Sequence, residues 1–272
     1  MAQNLGEHPV IKKAYADTPD GQIHYYFTGP REKEPIIFLH QNVSGGKTYL
    51  RTIEQLSPTH HCIALDLPGF GASFDPPKFN SISTLTQYTM AFVDSLHLEK
   101  FHVFGNHTGA GMAAEIASLH PSRVLSCIMI GALLLTEEQA APYRNEFSGS
   151  LGPSHNAEYL QATWDYIYNL GGNLDLDNMN DELSAALRAW KARGWIYECV
   201  WDYPFEQFLQ KIQCPTLLMC SPEDVLYLGH QNTAAAMPQA KAVDISGSNF
   251  EPYFDPKGIS TAVNSFFTEN NL

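Results

Sequence analysis

The sequence is poor in positive charge. Lysine and arginine total 16 against 29 aspartates and glutamates, a net charge of −13 over 272 residues. A surface of that sign repels a phosphate backbone, so no nucleic-acid partner is expected. No apolar run approaches the ~20 residues that span a bilayer; the longest lies near Ile128–Leu135. The opening MAQNLGEHPVIKK holds no apolar signal core. The five cysteines are odd in number and never form a CxxC pair. Cys62, Cys127 and Cys220 sit in apolar runs and read as reduced core thiols. Cytoplasmic residence without membrane contact is the expectation. Eleven histidines are present, yet no H-x-H or HExxH spacing occurs, so no metal site is expected. The glycine-rich Asp66–Ser73 stretch lacks the Lys-Ser/Thr of a P-loop and the G-x-G-x-x-G order of a dinucleotide site. It reads as a tight structural crossing, and no organic cofactor is implied. There is no internal repeat or low-complexity tract.

What is present is a globular balance of 44% hydrophobic and 17% charged residues. A chain this long buries about 75% of its unfolded surface, enough for a core without disulfide or metal staples. Ile36–His40, Cys62–Asp66, Phe101–Gly105, Cys127–Gly131 and Thr216–Cys220 are short, continuous apolar runs, as in strands covered on both faces. Helical patterns fall over Thr48–Leu56, Thr84–Leu96, Thr108–His120 and Gly258–Phe267. The alternation predicts a parallel sheet with right-handed crossovers. Ile11–Ala16 and Gln22–Thr28, joined by the turn sequence Thr18-Pro-Asp-Gly21, predict an antiparallel hairpin at one edge. Residues 135–205 break the rhythm with helical patterns over Glu137–Phe147, Ala157–Leu170 and Asp181–Trp201. Ser148–Pro153 and Gly171–Asn173 separate them as turns. All four tryptophans (Trp164, Trp190, Trp195, Trp201) fall in this insertion, which suits the roof of an apolar pocket. The core is therefore expected over 1–134 and 206–272, with a helical cap over 135–205.

The most informative segment is Phe101-His-Val-Phe-Gly-Asn-His-Thr-Gly-Ala110. A strand ends, a Gly-x-x-x-Gly turn follows, and a helix of small residues begins. This is the layout of a nucleophile elbow, which lifts its middle side chain above the sheet. The helix N-terminus adds unpaired N–H groups and the positive end of its dipole.

At this point the chain resembles the α/β-hydrolase fold family, over nearly its whole length. Leu39-His-Gln-Asn42 is similar to that family's His-Gly turn, and Asp66–Ser73 to the segment after its fourth strand. Ser221-Pro-Glu-Asp224 resembles the stretch supplying the acid, and Gly247-Ser-Asn-Phe250 the stretch supplying the histidine. The resemblance implies an α/β fold with an inserted helical cap. The departures are equally specific. The elbow carries His107 where serine, cysteine or aspartate is usual. Asn249 stands where the late histidine would be, and Gln41 replaces the glycine. Only Asp224 keeps the family's residue type. A His-Thr-Gly elbow with a His-Gln turn resembles an atypical branch more than the esterases.

An acyl-serine mechanism needs a nucleophile and a base, and this chain lacks both usual residues. An imidazole, with an ordinary pKa near ~6.5, can move protons at neutral pH. The expected catalytic residues are His107, moving a proton on substrate or water, and Asp224, orienting it or acting as base. The backbone N–H groups of Thr108 and of Gln41 or Asn42 would hold developing negative charge. Asn249 would line the pocket, and His40 is read mainly as a support for the turn after its strand, with direct substrate binding as the lesser reading. The expected reaction is hydrolysis of an ester, lactone or activated C–C bond in a small, largely apolar or aromatic carbonyl compound. Lyase, isomerase or cyclase chemistry through the same residues is the alternative, and non-catalytic ligand binding is the third reading. The expected partner is a small molecule, and a homodimer is allowed. A fluorophosphonate probe should leave the protein unlabelled; stoichiometric labelling would place the nucleophile elsewhere. With His107 as base, activity should rise with pH through neutrality, and a profile flat across that range would count against it.

Overall fold

The computed structural model describes residues 9–147 and 152–272. The expected Ser148–Pro153 turn lies mostly outside the described residues, as does the first part of the N-terminal segment. Strands β1 (Lys12–Thr18), β2 (Gly21–Thr28), β3 (Pro35–Leu39), β4 (His61–Leu65), β5 (Phe101–Asn106), β6 (Val124–Ile130), β7 (Thr216–Cys220) and β8 (Lys241–Asp244) form one sheet. Its order is β1-β2-β4-β3-β5-β6-β7-β8. The β1–β2 hairpin is antiparallel and β2 joins β4 antiparallel; every pairing from β4 to β8 is parallel. This is the mostly parallel sheet with an antiparallel edge hairpin that the sequence implied.

The continuous apolar runs are explained by the sheet's two covered faces. Ile37, Leu39, Ile63, Leu65, Val103, Met129 and Leu218 share one core. Their chain neighbours Ile36, Phe38, Cys62, Ala64, Phe104, Ile128 and Met219 share the other. Successive side chains alternate faces, so a strand buried on both sides must be apolar throughout. Helices α1 (Leu50–Leu56), α2 (Ile82–Ser95) and α3 (Thr108–Leu119) follow β3, β4 and β5 in turn. Ser81 caps α2, accepting a hydrogen bond from Ser83 N–H.

Between β6 and β7 the chain forms α4 (Glu137–Phe147), α5 (Glu158–Asn169), α6 (Leu176–Arg188), α7 (Trp190–Cys199) and α8 (Phe205–Leu209). The single helix expected over Asp181–Trp201 is instead two, broken at Ala189, whose backbone leaves helical geometry. Hydrogen bonds tie the insertion to the loops beneath, among them these. Ser44 Oγ donates to Glu182 Oε2 (2.6 Å), Tyr143 OH to the Val225 carbonyl (2.8 Å), and Asn42 Nδ2 to the Arg193 carbonyl (3.3 Å). Helices α9 (Tyr227–Ala236), α10 (Glu251–Phe254) and α11 (Pro256–Asn270) complete the chain. Asp255 caps α11 by accepting from Gly258 N–H (2.9 Å). Among the described residues, no helix is long and apolar enough to cross a membrane.

Parallel register places the site. Leu39 pairs with Leu65 on one side and Gly105 on the other, Asn106 with Ile130, and Ile130 with Met219. The loops leaving β3, β5, β6 and β7 therefore start level with one another at the carboxyl edge of the sheet, where open α/β sheets bind ligands.

Burial pushes the Glu182 carboxyl up to about 7 from an ordinary 4.5, against the opposing effect of the Ser44 hydrogen bond. Between those values the folded chain holds a proton that the unfolded chain has lost, so stability falls as pH rises through that window. Melting temperature should decline from pH 5 to 8, and Glu182→Gln should remove that part of the slope. An identical slope in the variant would assign the effect to other groups.

Candidate functional site

The elbow forms because two glycines let backbone meet backbone. A Cβ on Gly105 would lie 1.9 Å from the Gly109 carbonyl oxygen, and one on Gly109 would lie 2.0 Å from that of Leu39. Neither position admits a side chain, so β5, the start of α3 and the end of β3 pack in direct contact. His107, between them, takes φ 49° and ψ −110°. That conformation costs a non-glycine residue about 1–3 kcal/mol. It is held by His107 N–H donating to the Ile130 carbonyl (2.9 Å) and by the His107 carbonyl accepting from Ala110 (2.8 Å) and Gly111 (3.1 Å).

The His107 ring is 13% exposed, and its Nε2 lies 2.6 Å from Asp224 Oδ2. The other Asp224 oxygen accepts from Leu226 N–H at 2.6 Å. An ionised carboxylate only accepts, so the imidazole donates through Nε2–H and carries its lone pair on Nδ1. Nδ1 makes no hydrogen bond within the described residues. Asp224 thus meets His107 directly, with no residue between them. Asn249 is buried beside them, its Oδ1 accepting from Val225 N–H at 3.4 Å.

Beside this pair lies a residue that motif reading missed. Glu251 is fully buried at the start of α10. Its Oε1 accepts from Ser221 N–H at 3.2 Å and its Oε2 has no hydrogen-bond partner. Ligating atoms of His107, Asp224 and Glu251 lie within 4.8 Å of one another. Burial, and then the neighbouring Asp224 charge, push the Glu251 carboxyl well above its usual range. The signal available in the sequence was an acidic residue two positions after Asn249, inside the stretch that resembles the histidine-bearing one. These three residues could also ligand a cation. Two ligands of one tetrahedral zinc sit about 3.3 Å apart, so a metal would have to open the 2.6 Å His107–Asp224 contact.

A cavity of about 50 Å³ lies over the elbow, room for a few waters or a small ligand. Gln41, Asn42, His107, Thr108 and Asn249 supply its polar lining. Leu133, Leu170, Val200, Leu226, Phe147 and Trp201 are among its apolar and aromatic walls. The N–H groups of Gln41, Asn42 and Thr108 donate no hydrogen bond within the described residues. The structure thus brings together His107, Asp224, Asn249, Gln41, Asn42 and Thr108.

His40 is the correction. It is fully buried and does not line the cavity. Its Nδ1 lies 2.7 Å from the Gln41 carbonyl, and its Nε2 accepts from Leu67 N–H at 3.0 Å. Both ring nitrogens are therefore engaged by backbone, and burial lowers the imidazole's pKa, keeping it neutral. The tryptophans also divide. Only Trp201 lines the cavity; Trp164 packs in a satellite core, Trp195 meets Phe79 edge-on, and Trp190 is exposed. The Asp66–Ser73 loop is a tight crossing, as read: Asp66 accepts from Gly46 N–H, Ala72 N–H and the His24 ring.

Comparison with known proteins agrees with the fold. A family model described as the alpha/beta hydrolase fold matches residues 34–175. A dihydrolipoyllysine-residue acetyltransferase component of an acetoin cleaving system, from Cupriavidus necator, is 28% identical over 116 residues, 43% of this chain and 31% of that protein. The chain thus matches less than a third of that relative's length. A proline iminopeptidase from Lactobacillus helveticus is 26% identical over 241 residues, 75% of this chain and 79% of that protein. In three dimensions, an enol-lactonase from Burkholderia xenovorans superposes with a TM-score of 0.80 at 16% identity, covering 94% of this chain and all of that one; this likeness is one of fold.

Gly131, at the end of β6, has φ +60°, and a Cβ there would lie 2.2 Å from His107 Cδ2 and 2.6 Å from Nε2. Gly131→Ala should therefore displace the ring. A crystal structure of the variant is expected to show Nε2 out of hydrogen-bond range of Asp224; a retained 2.6 Å contact would contradict the steric argument.

Proposed function

This chain belongs to the α/β-hydrolase fold family, and on that premise we propose that it hydrolyses a small, largely apolar or aromatic carbonyl compound without an acyl-serine intermediate. The observation that carries this reading is the His107 ring. It is lifted by the elbow into the cavity, bonded to Asp224 through Nε2, and left with Nδ1 unengaged. A serine at that position would be acylated; an imidazole in this tautomer is a base.

His107 Nδ1 takes a proton from water as the water oxygen bonds to the substrate carbonyl carbon. The carbonyl oxygen gains the negative charge, which the N–H groups of Thr108 and of Gln41 or Asn42 stabilise. Donors of this kind are worth about 10²–10³ in rate. The imidazolium then returns its proton to the leaving oxygen, or to the leaving carbon of an activated C–C bond, as that bond breaks. Asp224 holds the ring and balances the imidazolium charge. Burial and the Asp224 charge both push the Glu251 carboxyl up, which disfavours a second negative charge beside the ring. No organic cofactor enters the scheme. The narrow cavity supports a small substrate, and the fold shared with an enol-lactonase makes small lactones the first compounds to try.

A panel of small esters, enol lactones and β-diketones should contain a substrate whose product incorporates oxygen from labelled water. His107→Ala should lower its turnover by about 10²–10⁴. Unchanged turnover in that variant would overturn the assignment of His107, and product without solvent oxygen would overturn hydrolysis in favour of lyase or isomerase chemistry.

A further inference from the structure

A buried cation stands behind the roof of the cavity. Arg193, on α7, is 3% exposed, and its Nε and Nη1 have no hydrogen-bond partner. Among the described residues it forms no ion pair. Other arginines do: Arg123 with Asp94, Arg144 with Asp202, Arg188 with Asp75. Guanidinium stays charged under all ordinary conditions, and a buried charge without a counter-ion is costly. An anion brought close to it would offset that cost.

The surroundings indicate from where. The Arg193 guanidinium lies 4.3 Å from the centre of the Tyr166 ring. Tyr166 OH and Tyr197 OH are 2.5 Å apart, and both tyrosines line the cavity that holds His107. Two hydroxyls sharing one hydrogen bond use one proton between them and leave the second free to donate to a guest. Burial raises both phenols, and the Arg193 charge opposes that rise at each, so the cation acts electrically on the pair. Asn42, from the loop after β3, ties the same helix down through the Arg193 carbonyl.

The geometry points to a substrate that is itself an anion: a small carbonyl compound bearing a carboxylate, which accepts a hydrogen bond from the Tyr166–Tyr197 pair and supplies the counter-charge to Arg193. The inference rests on the cavity at His107 being the substrate site, and it names the chemical class that site takes. The bond to be hydrolysed would face His107 at the floor, and the carboxylate would face α7 at the roof.

Binding of matched pairs tests it without turnover. Propionate against propionamide, and benzoate against benzamide, are measured by calorimetry at about pH 7.5, where the acids are ionised. The wild type should bind each carboxylate at least about tenfold more tightly than its amide, and Arg193→Met should bring the two together. Because Met replaces an unpaired buried charge with apolar bulk, that variant should melt no lower than wild type in the absence of ligand. Should it not fold, the double variant Tyr166→Phe/Tyr197→Phe, which keeps the charge and removes the hydroxyls, must lose the preference instead. Equal affinity for acid and amide in the wild type overturns the inference. So does a preference that survives Arg193→Met or the double variant, or carboxylates that fail to bind up to about 10 mM. His107→Ala should retain the preference. A missing preference with His107-dependent turnover would discard the anion site alone; a retained preference with turnover indifferent to His107 would discard the hydrolytic reading alone.

Discussion

Backbone contact at the elbow governs the rest of the molecule. Gly105 and Gly109 bring the end of β5 and the start of α3 so close that no Cβ fits at either position, and Gly109 rests directly on the Leu39 carbonyl. The residue between them has no relaxed conformation available, and His107 is fixed with positive φ. That one geometry aims the imidazole, leaves Thr108 N–H at the open end of a helix, and sets both beside the Gln41–Asn42 turn. The level ends of the parallel strands make this convergence possible, and the apolar faces of the sheet hold those ends in register.

Charge is distributed around the elbow in a definite pattern. Beside the ring sit two carboxyl groups, one bonded to it and one whose ionisation is opposed by burial and by its neighbour. Above the cavity sits a guanidinium without a carboxylate, screened from the guest by two phenols. The walls between are apolar or aromatic. Burial strengthens each of these polar interactions relative to a surface. In the proposed reading the floor moves the proton and the roof holds the charge.

Much of this was legible in the sequence, for reasons that differ residue by residue. Strands such as Ile36–Leu39 were visible because burial on two faces leaves no polar position. Strand β8, Lys-Ala-Val-Asp, was not, because an edge strand of four half-exposed residues carries little hydrophobic pattern. His107 was found because Gly-x-x-x-Gly between a strand and a small-residue helix is a local signal. Glu251 was not, because its meeting with Asp224 joins loops 27 positions apart and depends on depth, which spacing does not encode. Arg193 was hidden for the same reason: on a helix a charged residue ordinarily faces water, and only the packed structure shows that this one does not. For His40 the supporting role in the turn was legible and the substrate contact was not met, since a histidine at a strand end looks the same whether its nitrogens meet a ligand or the backbone.

The glycine that faces the elbow ties two distant positions together. The His107 ring occupies the volume in which residue 131 would place its first side-chain carbon. The positive φ of Gly131 already disfavours any side chain, and the ring removes the space for one as well. The aim of the imidazole is therefore set from two sides, by the strained turn that carries it and by the bare backbone that faces it.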